Sequence, residues 1–371
     1  MSFAFIRKRS KNYIVYLEYK DKESGKKTQK NMGSFEKKRD ASKKLNEIKD
    51  SIYSDKLVIP SALNVESFIL DFIEKHKVNI SITTYNNYMR ICKKYIIPLL
   101  GSYKLDEIRP IHIQNYIDDL VGILTPQTIK VHINILNLAF KKAYRLRLIK
   151  ENILECVEVP KNRKFKNNIY NKEDMIKLLN TCKNTDMELY IYLASGLGLR
   201  ISEILGLTWD NIDFANSTIT INKITIRNNG VVSLKSPKTE SSERTITCPK
   251  EIMIMLKDHK RLQLENKLKG KIKNTMNLLF FDKNEQPIAQ DVLSKKFNKF
   301  LLKNNLEHIR FHDLRHSHVT LLINSKVPIK VISERVGHSN INTTLNIYAH
   351  ALKEMDSEAS DKISRTLFEI I

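Results

Sequence analysis

The spacing of apolar residues changes along this chain of 371 residues, and each spacing permits a different kind of structure. Near the N terminus, the run YIVYLEYK alternates apolar and polar residues, as strands with one buried face do. Turn residues at 22–25, a second extended run (KKTQKNMGSF) and a lysine-rich helical segment follow. Residues 1–55 are therefore predicted to form a three-stranded antiparallel sheet with one helix over its apolar face.

Residues 62–155 show a helical spacing instead. Apolar side chains recur three or four positions apart in VESFILDFIEKHK, SITTYNNYMRICKKYIIPLLG and TPQTIKVHINILNLAFKKAYRLRLI. Thr125 followed by Pro126 indicates a helix start, because threonine caps free amides and proline suits the first helical position. We expect a helical bundle in this part of the chain.

A polar, basic stretch, VPKNRKFKNN, separates the bundle from the remainder and is interpreted as a linker. Asn171, with Asp174 three residues later, predicts a helix start. The rest is mainly helical, except that STITINKITI, GVVSLK and ERTITC predict three short strands joined by turns at Gly230 and Pro237. A chain of this length should form two or three domains. The expected fold class is multidomain, mainly α with small β-sheets, in domains 1–55, 62–155 and 170–371.

The charge of the chain indicates a polyanionic partner. Sixty-three Lys and Arg residues against 41 Asp and Glu give a net charge of +22, and the first 50 residues carry 15 basic against 7 acidic residues. Such a surface attracts nucleic acid in a salt-dependent way. The sequence contains no run of about 18 apolar residues and no N-terminal signal region, so we do not expect a membrane partner. The four cysteines lie far apart without a CxxC pair, as expected of reduced thiols in the cytoplasm.

Six polar residues in the second half of the chain have the chemistry needed to break a phosphodiester bond. A phosphodiester under attack gathers negative charge on its nonbridging oxygens, which guanidinium groups match with paired hydrogen bonds. A tyrosine nucleophile must lose a proton of pKa about 10, favoured by a nearby base or cation, and a lysine can protonate the departing 5' oxygen. The six residues are Arg200, Lys238, His312, Arg315, His338 and Tyr348. They lie in the segments ASGLGLRISEILGLTW, SLKSPKTESSERTI, FHDLRHSHVTLL, ERVGHSNINTT and LNIYAHAL.

Other interpretations of these residues stay open. Single arginines and lysines are usually solvated charges, and a tyrosine near apolar helix positions is usually core. His312 and His316 are four residues apart and His318 follows, so a helical metal site is an alternative. No cluster of Asp and Glu accompanies the six residues and no GxxxxGK[ST] loop occurs, so we expect no metal and no cofactor.

In their order and separation the motifs resemble the catalytic signature of tyrosine recombinases, the phage integrase family, over residues 170–352. The resemblance implies that Tyr348 forms a 3'-phosphotyrosyl link and that Lys238 is the general acid. It also implies that Arg200 and Arg315 hold the phosphate oxygens while His312 and His338 assist proton transfer. Glu203, three residues after Arg200, is expected to orient that arginine or a histidine through hydrogen bonds.

The same resemblance extends to DNA binding. Residues 1–55 are similar to an arm-type DNA-binding domain, although an accessory sheet without DNA contacts is an alternative. Residues 62–155 are similar to a core-type DNA-binding domain. Implied partners are double-stranded attachment sites of both types, three further copies in a synaptic tetramer, an excisionase and a host DNA-bending protein. The candidate DNA-contacting residues are Arg7, Lys8, Arg9, Lys11, Tyr85, Lys93, Lys94, Lys161, Arg163 and Lys164.

The expected activity is integration and excision of a mobile element. A type IB topoisomerase, which uses the same tyrosine chemistry without pairing two sites, is one alternative, and a noncatalytic DNA-binding regulator is another. The last segment, KEMDSEASDKISRTLFEII, predicts an amphipathic helix that must dock on some surface. The resemblance implies docking on a neighbouring protomer, and docking on its own domain is the alternative.

Overall fold

The computed structural model describes residues 3–20, 27–53, 63–160, 169–228, 230–237 and 243–337, together with Leu345, Ser364 and Thr366. The chain divides into two compact units, Met1–Lys164 and Phe165–Ile371. Within the residues described, no helix is both long and apolar enough to cross a membrane. The boundaries 1–55, 62–155 and 170–371 stay a prediction.

The N-terminal sheet and its helix confirm the first prediction. Strands β1 (Phe3–Arg9), β2 (Asn12–Lys20) and β3 (Lys27–Phe35) pair antiparallel in that order, and α1 (Lys38–Tyr53) follows. Alternate residues of the sheet pack against α1 in a small apolar cluster. Its buried members are Ala4, Val15, Leu17, Tyr19, Ala41 and Ile48.

The first unit also contains the predicted helices, with one more between them. Thr125 caps α6 as predicted, since its hydroxyl accepts from the amide of Thr128. Helix α5, between the predicted segments, begins at Pro110. The helices are α2 (Val65–His76), α3 (Ile82–Ile91), α4 (Ile97–Leu100), α5 (Pro110–Leu120) and α6 (Pro126–Arg145), with a π-helical turn at Cys92–Ile96 and 3-10 turns at Lys77–Asn79 and Ile153–Cys156.

The second unit is mainly helical around a large apolar core. Asn171 caps its first helix as predicted, by accepting from the amide of Asp174. Its helices are α7 (Lys172–Cys182), α8 (Glu188–Leu197), α9 (Ile201–Ile204), α10 (Lys250–Leu268), α11 (Gln290–Lys303), α12 (Asp313–Asn324) and α13 (Ile329–Val336), with a 3-10 turn at Trp209–Asn211. Its strands are β4 (Ile212–Asp213), β5 (Thr218–Ile221), β6 (Ile224–Asn228), β7 (Val231–Lys235) and β8 (Arg244–Thr247).

The prediction of a single strand over STITINKITI was wrong. The chain leaves the first sheet after Ile221, so that β5 pairs with β4 and β8 while β6 pairs only with β7 among the described strands. The backbone at Lys223 and Ile224 passes directly against Gly206, where an added Cβ would lie 2.6 Å from the carbonyl oxygen of Lys223. At the same bend, the side-chain amide of Asn211 donates to the side-chain oxygen of Asn222 at 2.7 Å.

Two helices of the second unit end in glycine turns, and both turns lie in the same region. Helix α8, which packs against α12, ends at Gly198, and α13 ends at Gly337. Both glycines have a φ of +66°, a left-handed conformation that favours residues without a side chain. Each turn therefore brings the end of its helix against arginine side chains of the candidate site.

Candidate active site

A buried carboxylate, that of Glu203, is the centre of a cluster of arginines. Glu203 is the third residue of α9, and its Oε2 accepts from the backbone amide of Arg200 at 2.9 Å. The same side chain accepts from Nη1 of Arg200 at 2.7 Å through Oε1. The sequence order Arg-Ile-Ser-Glu thus caps the helix and fixes the arginine in one step.

Two further arginines approach the same carboxylate from other elements. Arg244, on β8, donates from Nη1 to Oε1 at 3.1 Å and from Nη2 to Oε2 at 3.0 Å. Arg315, on α12, brings Nη1 to 4.0 Å from Oε2. Three positive charges therefore surround one negative charge, and the side chains of Glu203 and Arg315 are each only 2% exposed.

The three arginines also bind three successive backbone carbonyls at the C-terminal end of α13. Arg244 Nε donates to the carbonyl of Arg335 at 2.7 Å, Arg315 Nη2 to that of Val336 at 2.5 Å, and Arg200 Nη2 to that of Gly337 at 3.0 Å. The last carbonyls of a helix lack partners within the helix and carry partial negative charge. This helix end therefore supplies hydrogen bonds that Glu203 alone does not.

The protonation of the cluster follows from its burial and charge. Burial alone would raise the pKa of Glu203, but the hydrogen bonds and charges of Arg244 and Arg200 prevail and the pKa is lowered. For Arg315, burial is the largest cause and the charge of Arg200 adds to it, so the pKa falls to about 9. The cluster holds three guanidinium groups and one carboxylate, so a bound anion would supply the missing negative charge.

Three histidines on or beside α12 border the cluster. The rings of His312 and His316 meet edge to face, with centroids 4.9 Å apart. His312 keeps an exposed edge, yet burial of the rest of its ring, followed by the proximity of His316 and Arg315, lowers its pKa to about 4. His318 is buried and its Nδ1 lies 2.7 Å from the carbonyl oxygen of Ser195. His312 is therefore neutral at neutral pH and able to accept a proton.

The described part of the chain contains no group of three or more His, Cys, Asp or Glu that could hold a metal ion.

Of the six sequence-predicted site residues, Arg200 and Arg315 meet at Glu203, and His312 lies close enough for both of their charges to affect its pKa. Lys238, His338 and Tyr348 lie outside the described residues, as does the predicted C-terminal helix apart from two single positions.

The candidate DNA-contacting residues are dispersed over the first unit. Exposed basic side chains occur on the β1–β2 hairpin, where Arg7 lies over the ring of Phe5, and on the π-helical turn. Tyr85 is half-buried and donates from its hydroxyl to Glu74 at 2.6 Å. The exposed residues are Arg7, Lys8, Arg9, Lys11, Lys93 and Lys94. Three others lie outside the described residues, namely Lys161, Arg163 and Lys164.

Sequence reasoning missed Arg244. It was assigned only to a strand, although the alternation within RTIT carried a signal. Strand residues two apart share a face, and Arg244 shares its face with buried Ile246. A charged residue on the inner face of a strand needs a buried partner, which here is Glu203.

Comparison with known proteins agrees with this geometry. Residues 169–355 match the model of the phage integrase family, and residues 64–121 match that of the phage integrase N-terminal SAM-like domain. A XerC-like tyrosine recombinase of Caldanaerobacter subterraneus is 28% identical over 301 residues, covering 76% of this chain and 75% of the relative. The ICEBs1 integrase of Bacillus subtilis is 27% identical over 287 residues, covering 76% and 78%.

A solved structure is also similar. It is a variant of the Tn1549 transposon integrase in complex with transposon right end DNA, with a TM-score of 0.69 and 25% identity. The alignment covers 80% of this chain and all of that one. The family match extends over half of the chain and contains the whole arginine cluster. The chain therefore belongs to the phage integrase family of tyrosine recombinases.

Proposed function

We propose that this protein is a site-specific recombinase that cleaves and rejoins DNA to integrate and excise a mobile element or phage genome. The observation that carries the proposal is the arginine cluster around Glu203. Its positive charges exceed its one negative charge and are largely buried, which is the electrostatic requirement for holding a phosphodiester as negative charge develops on it. The kinship with integrases of mobile elements supports the biological direction.

In the proposed reaction, Tyr348 attacks a DNA phosphorus through its hydroxyl oxygen. A phosphorus–oxygen bond to the tyrosine forms, and the bond to the 5' oxygen breaks. The phenol proton passes to a neighbouring base, for which His312, neutral at neutral pH, and His338 are the candidates, while Lys238 protonates the departing oxygen. Attack by the 5' hydroxyl of another strand reverses these steps, so rejoining requires no nucleotide.

Arg200 and Arg315 have the proposed role of holding the nonbridging oxygens. Each terminal nitrogen of either guanidinium already uses one N–H in a hydrogen bond. Arg200 donates to Glu203 and to the carbonyl of Gly337, and Arg315 donates to the carbonyls of Gly198, at 2.7 Å, and Val336. A guanidinium has five N–H groups. Glu203 supports the arginines and takes no part in bond making.

The proposal extends to partners and location. The substrates are double-stranded attachment sites, with the helices of residues 62–155 binding core-type sequence and the basic sheet of residues 1–55 binding arm-type sequence. Four copies assemble at synapsis, helped in excision by an excisionase and in bending by a host DNA-bending protein. A DNA-acting enzyme of this kind works in the cytoplasm. Removing residues 354–371 should reduce strand exchange more than binding to a single site, and equal losses would contradict docking on a neighbour.

The deciding experiment uses a nicked suicide substrate that carries the junction of the element with its host chromosome. Wild type and Tyr348→Phe are incubated with it in EDTA and resolved on a denaturing gel. A covalent protein–DNA adduct from wild type alone supports both the nucleophile and a metal-independent reaction. An adduct that persists in Tyr348→Phe assigns the nucleophile to another residue.

Two further arms separate other activities. Relaxation of a supercoiled plasmid without any attachment site would favour a topoisomerase. Tight binding of the junction by wild type with no adduct, in EDTA or with Mg²⁺, would favour a noncatalytic regulator and contradict the proposal.

A further inference from the structure

Arg244 lies in the arginine cluster with all three nitrogens of its guanidinium bonded to protein oxygens. Its side chain is 7% exposed. Nε, Nη1 and Nη2 all donate to protein oxygens, two on Glu203 and one on the backbone of Arg335. A guanidinium committed in this way has little capacity left for a DNA phosphate, so any role in the reaction must be indirect.

The contacts of Arg244 join three elements that are distant in sequence. The arginine begins β8, Glu203 is 41 residues earlier on α9, and Arg335 is 91 residues later on α13. Both oxygens of Glu203 bind Arg244, and both also bind Arg200. Arg244 therefore fixes the plane of the carboxylate that in turn orients Arg200.

Arg244 also packs on the backbone where the chain leaves α13. A Cβ added to Gly337 would lie 2.9 Å from Nη1 of Arg244 and 3.2 Å from its Cδ. His338 is the next residue along the chain. The guanidinium thus packs directly against this turn, beside the carbonyls that accept from Arg200 and Arg315.

We propose that Arg244 is a positioning residue for DNA cleavage, which acts through Glu203 and the C-terminal end of α13 to keep Arg200 and Arg315 aligned for the reaction. This inference rests on the proposed function. It predicts that loss of Arg244 slows the chemical step on bound DNA while leaving the affinity for DNA nearly unchanged, because the phosphate-contacting side chains remain.

The experiment compares Arg244→Gln and Arg244→Lys with Arg227→Gln as a control. Arg227 lies on β6, is exposed, and among the described residues pairs only at the surface with Asp291. Cleavage of pre-bound suicide substrate is measured in single turnover, well below the melting temperature of each variant. We expect Arg244→Gln to be slower by about 100-fold, the cost of a small misalignment in a site. Arg244→Lys should recover part of the rate, because it restores the charge without the forked geometry.

A pH profile distinguishes positioning from a merely structural role. The groups around the carboxylate of Glu203 are Arg200 on its own helix, Arg244 on β8, Arg315 on α12 and the carbonyl end of α13. Without Arg244, burial of Glu203 is opposed by fewer positive charges and its protonated form is favoured. The rate of Arg244→Gln, divided by that of wild type, should therefore fall further as the pH is lowered. This acid-dependent loss should disappear when Glu203→Gln is added.

A second readout does not depend on cleavage. In amide hydrogen exchange, Arg244→Gln should exchange faster than wild type across 329–337 and 201–206, and equally across 224–235. If wild type forms no adduct, the proposed function fails, and this exchange pattern still decides whether Arg244 holds the helix end. Unchanged exchange across 329–337, a wild-type cleavage rate in Arg244→Gln, or an acid-dependent loss that survives Glu203→Gln would each overturn the inference.

Discussion

Glu203 is a single carboxylate on which three elements depend. Burying a charge is costly unless it is paired, and here α9, β8 and α12 each contribute an arginine to the pairing. The energetic consequence is asymmetric. Removing the carboxylate leaves buried arginines facing one another, whereas the complete cluster partly balances itself.

Replacing Glu203 with Gln should therefore lower the free energy of unfolding substantially. We expect a loss of about 3–5 kcal/mol at pH 7, as found when one partner of a buried ion pair is removed. Urea denaturation measures it. The control is Glu265→Gln, because among the described residues its carboxylate makes only a long, exposed pair with Arg261, and the change should cost less than about 1 kcal/mol.

The pH dependence of that difference has a definite sign. The folded protein lowers the pKa of Glu203 below its ordinary value of 4.5, so the ionised form stabilises the fold. Its contribution is complete above the pKa in the unfolded chain and is lost as pH falls through the lower pKa of the folded state. Unfolding of wild type and Glu203→Gln at several pH values should show the gap between them shrinking below about pH 4. A constant gap would contradict the ionised assignment.

Gly198 offers a test of packing at the arginine cluster. An alanine there would place Cβ 2.6 Å from Cδ2 of buried His318, on a residue whose carbonyl accepts from Arg315. Gly270→Ala is the matched control, since its φ of +68° imposes similar backbone strain but, apart from its chain neighbours, no described residue lies within 4 Å of the added Cβ. Gly198→Ala should lose at least about 1 kcal/mol more than the control by thermal or urea unfolding. Equal losses would mean that His318 moves freely.

For single helices and strands, the sequence predicted the features that depend on neighbouring residues alone. Thr125 and Asn171 cap helices because their side chains accept from the backbone amides three residues on, an interaction between near neighbours in the sequence. The break after Ile221 was not predicted, because the bend that follows it packs against Gly206, a contact that exists only in the folded chain. Arg244 was missed for the same reason, as its partner lies 41 residues away.

The cap of α6 can be tested by itself. Thr125→Ala removes the oxygen that accepts from the amide of Thr128 and should cost about 1 kcal/mol of unfolding free energy. Thr125→Ser keeps an oxygen at the same place and should cost much less. A loss of similar size in both variants would assign the effect to the methyl group of the threonine instead.

For the whole molecule, the property that bears most on DNA binding is the net charge of +22. Binding that depends on phosphate contacts releases counterions and weakens steeply with salt. We expect the affinity for a DNA site to fall by about 10³–10⁵ between 50 and 200 mM salt, the range for six to ten phosphate contacts. Fluorescence anisotropy with a labelled duplex measures the slope, and a shallow slope would mean that few basic side chains reach the backbone.

The candidate site shows which of its contacts can be predicted from the sequence and which depend on the whole fold. Arg200 and Arg315 were predicted to act together from their motifs, and the fold brings both to Glu203. Their second set of partners was not predictable, because Gly337 lies 137 residues from Arg200 and offers only a carbonyl, which every residue has. Residue type indicates chemistry, whereas backbone partners depend on the completed fold.

The succession of three carbonyls at the end of α13 limits how the length of this helix can vary. Each added residue turns a helix by about 100° and lengthens it by about 1.5 Å. One insertion between Ile329 and Val336 would present a different carbonyl to every arginine and carry the following chain away from the cluster. Differences in length between relatives should therefore accumulate before Pro328, while the side chains on the exposed face of α13 remain free to change.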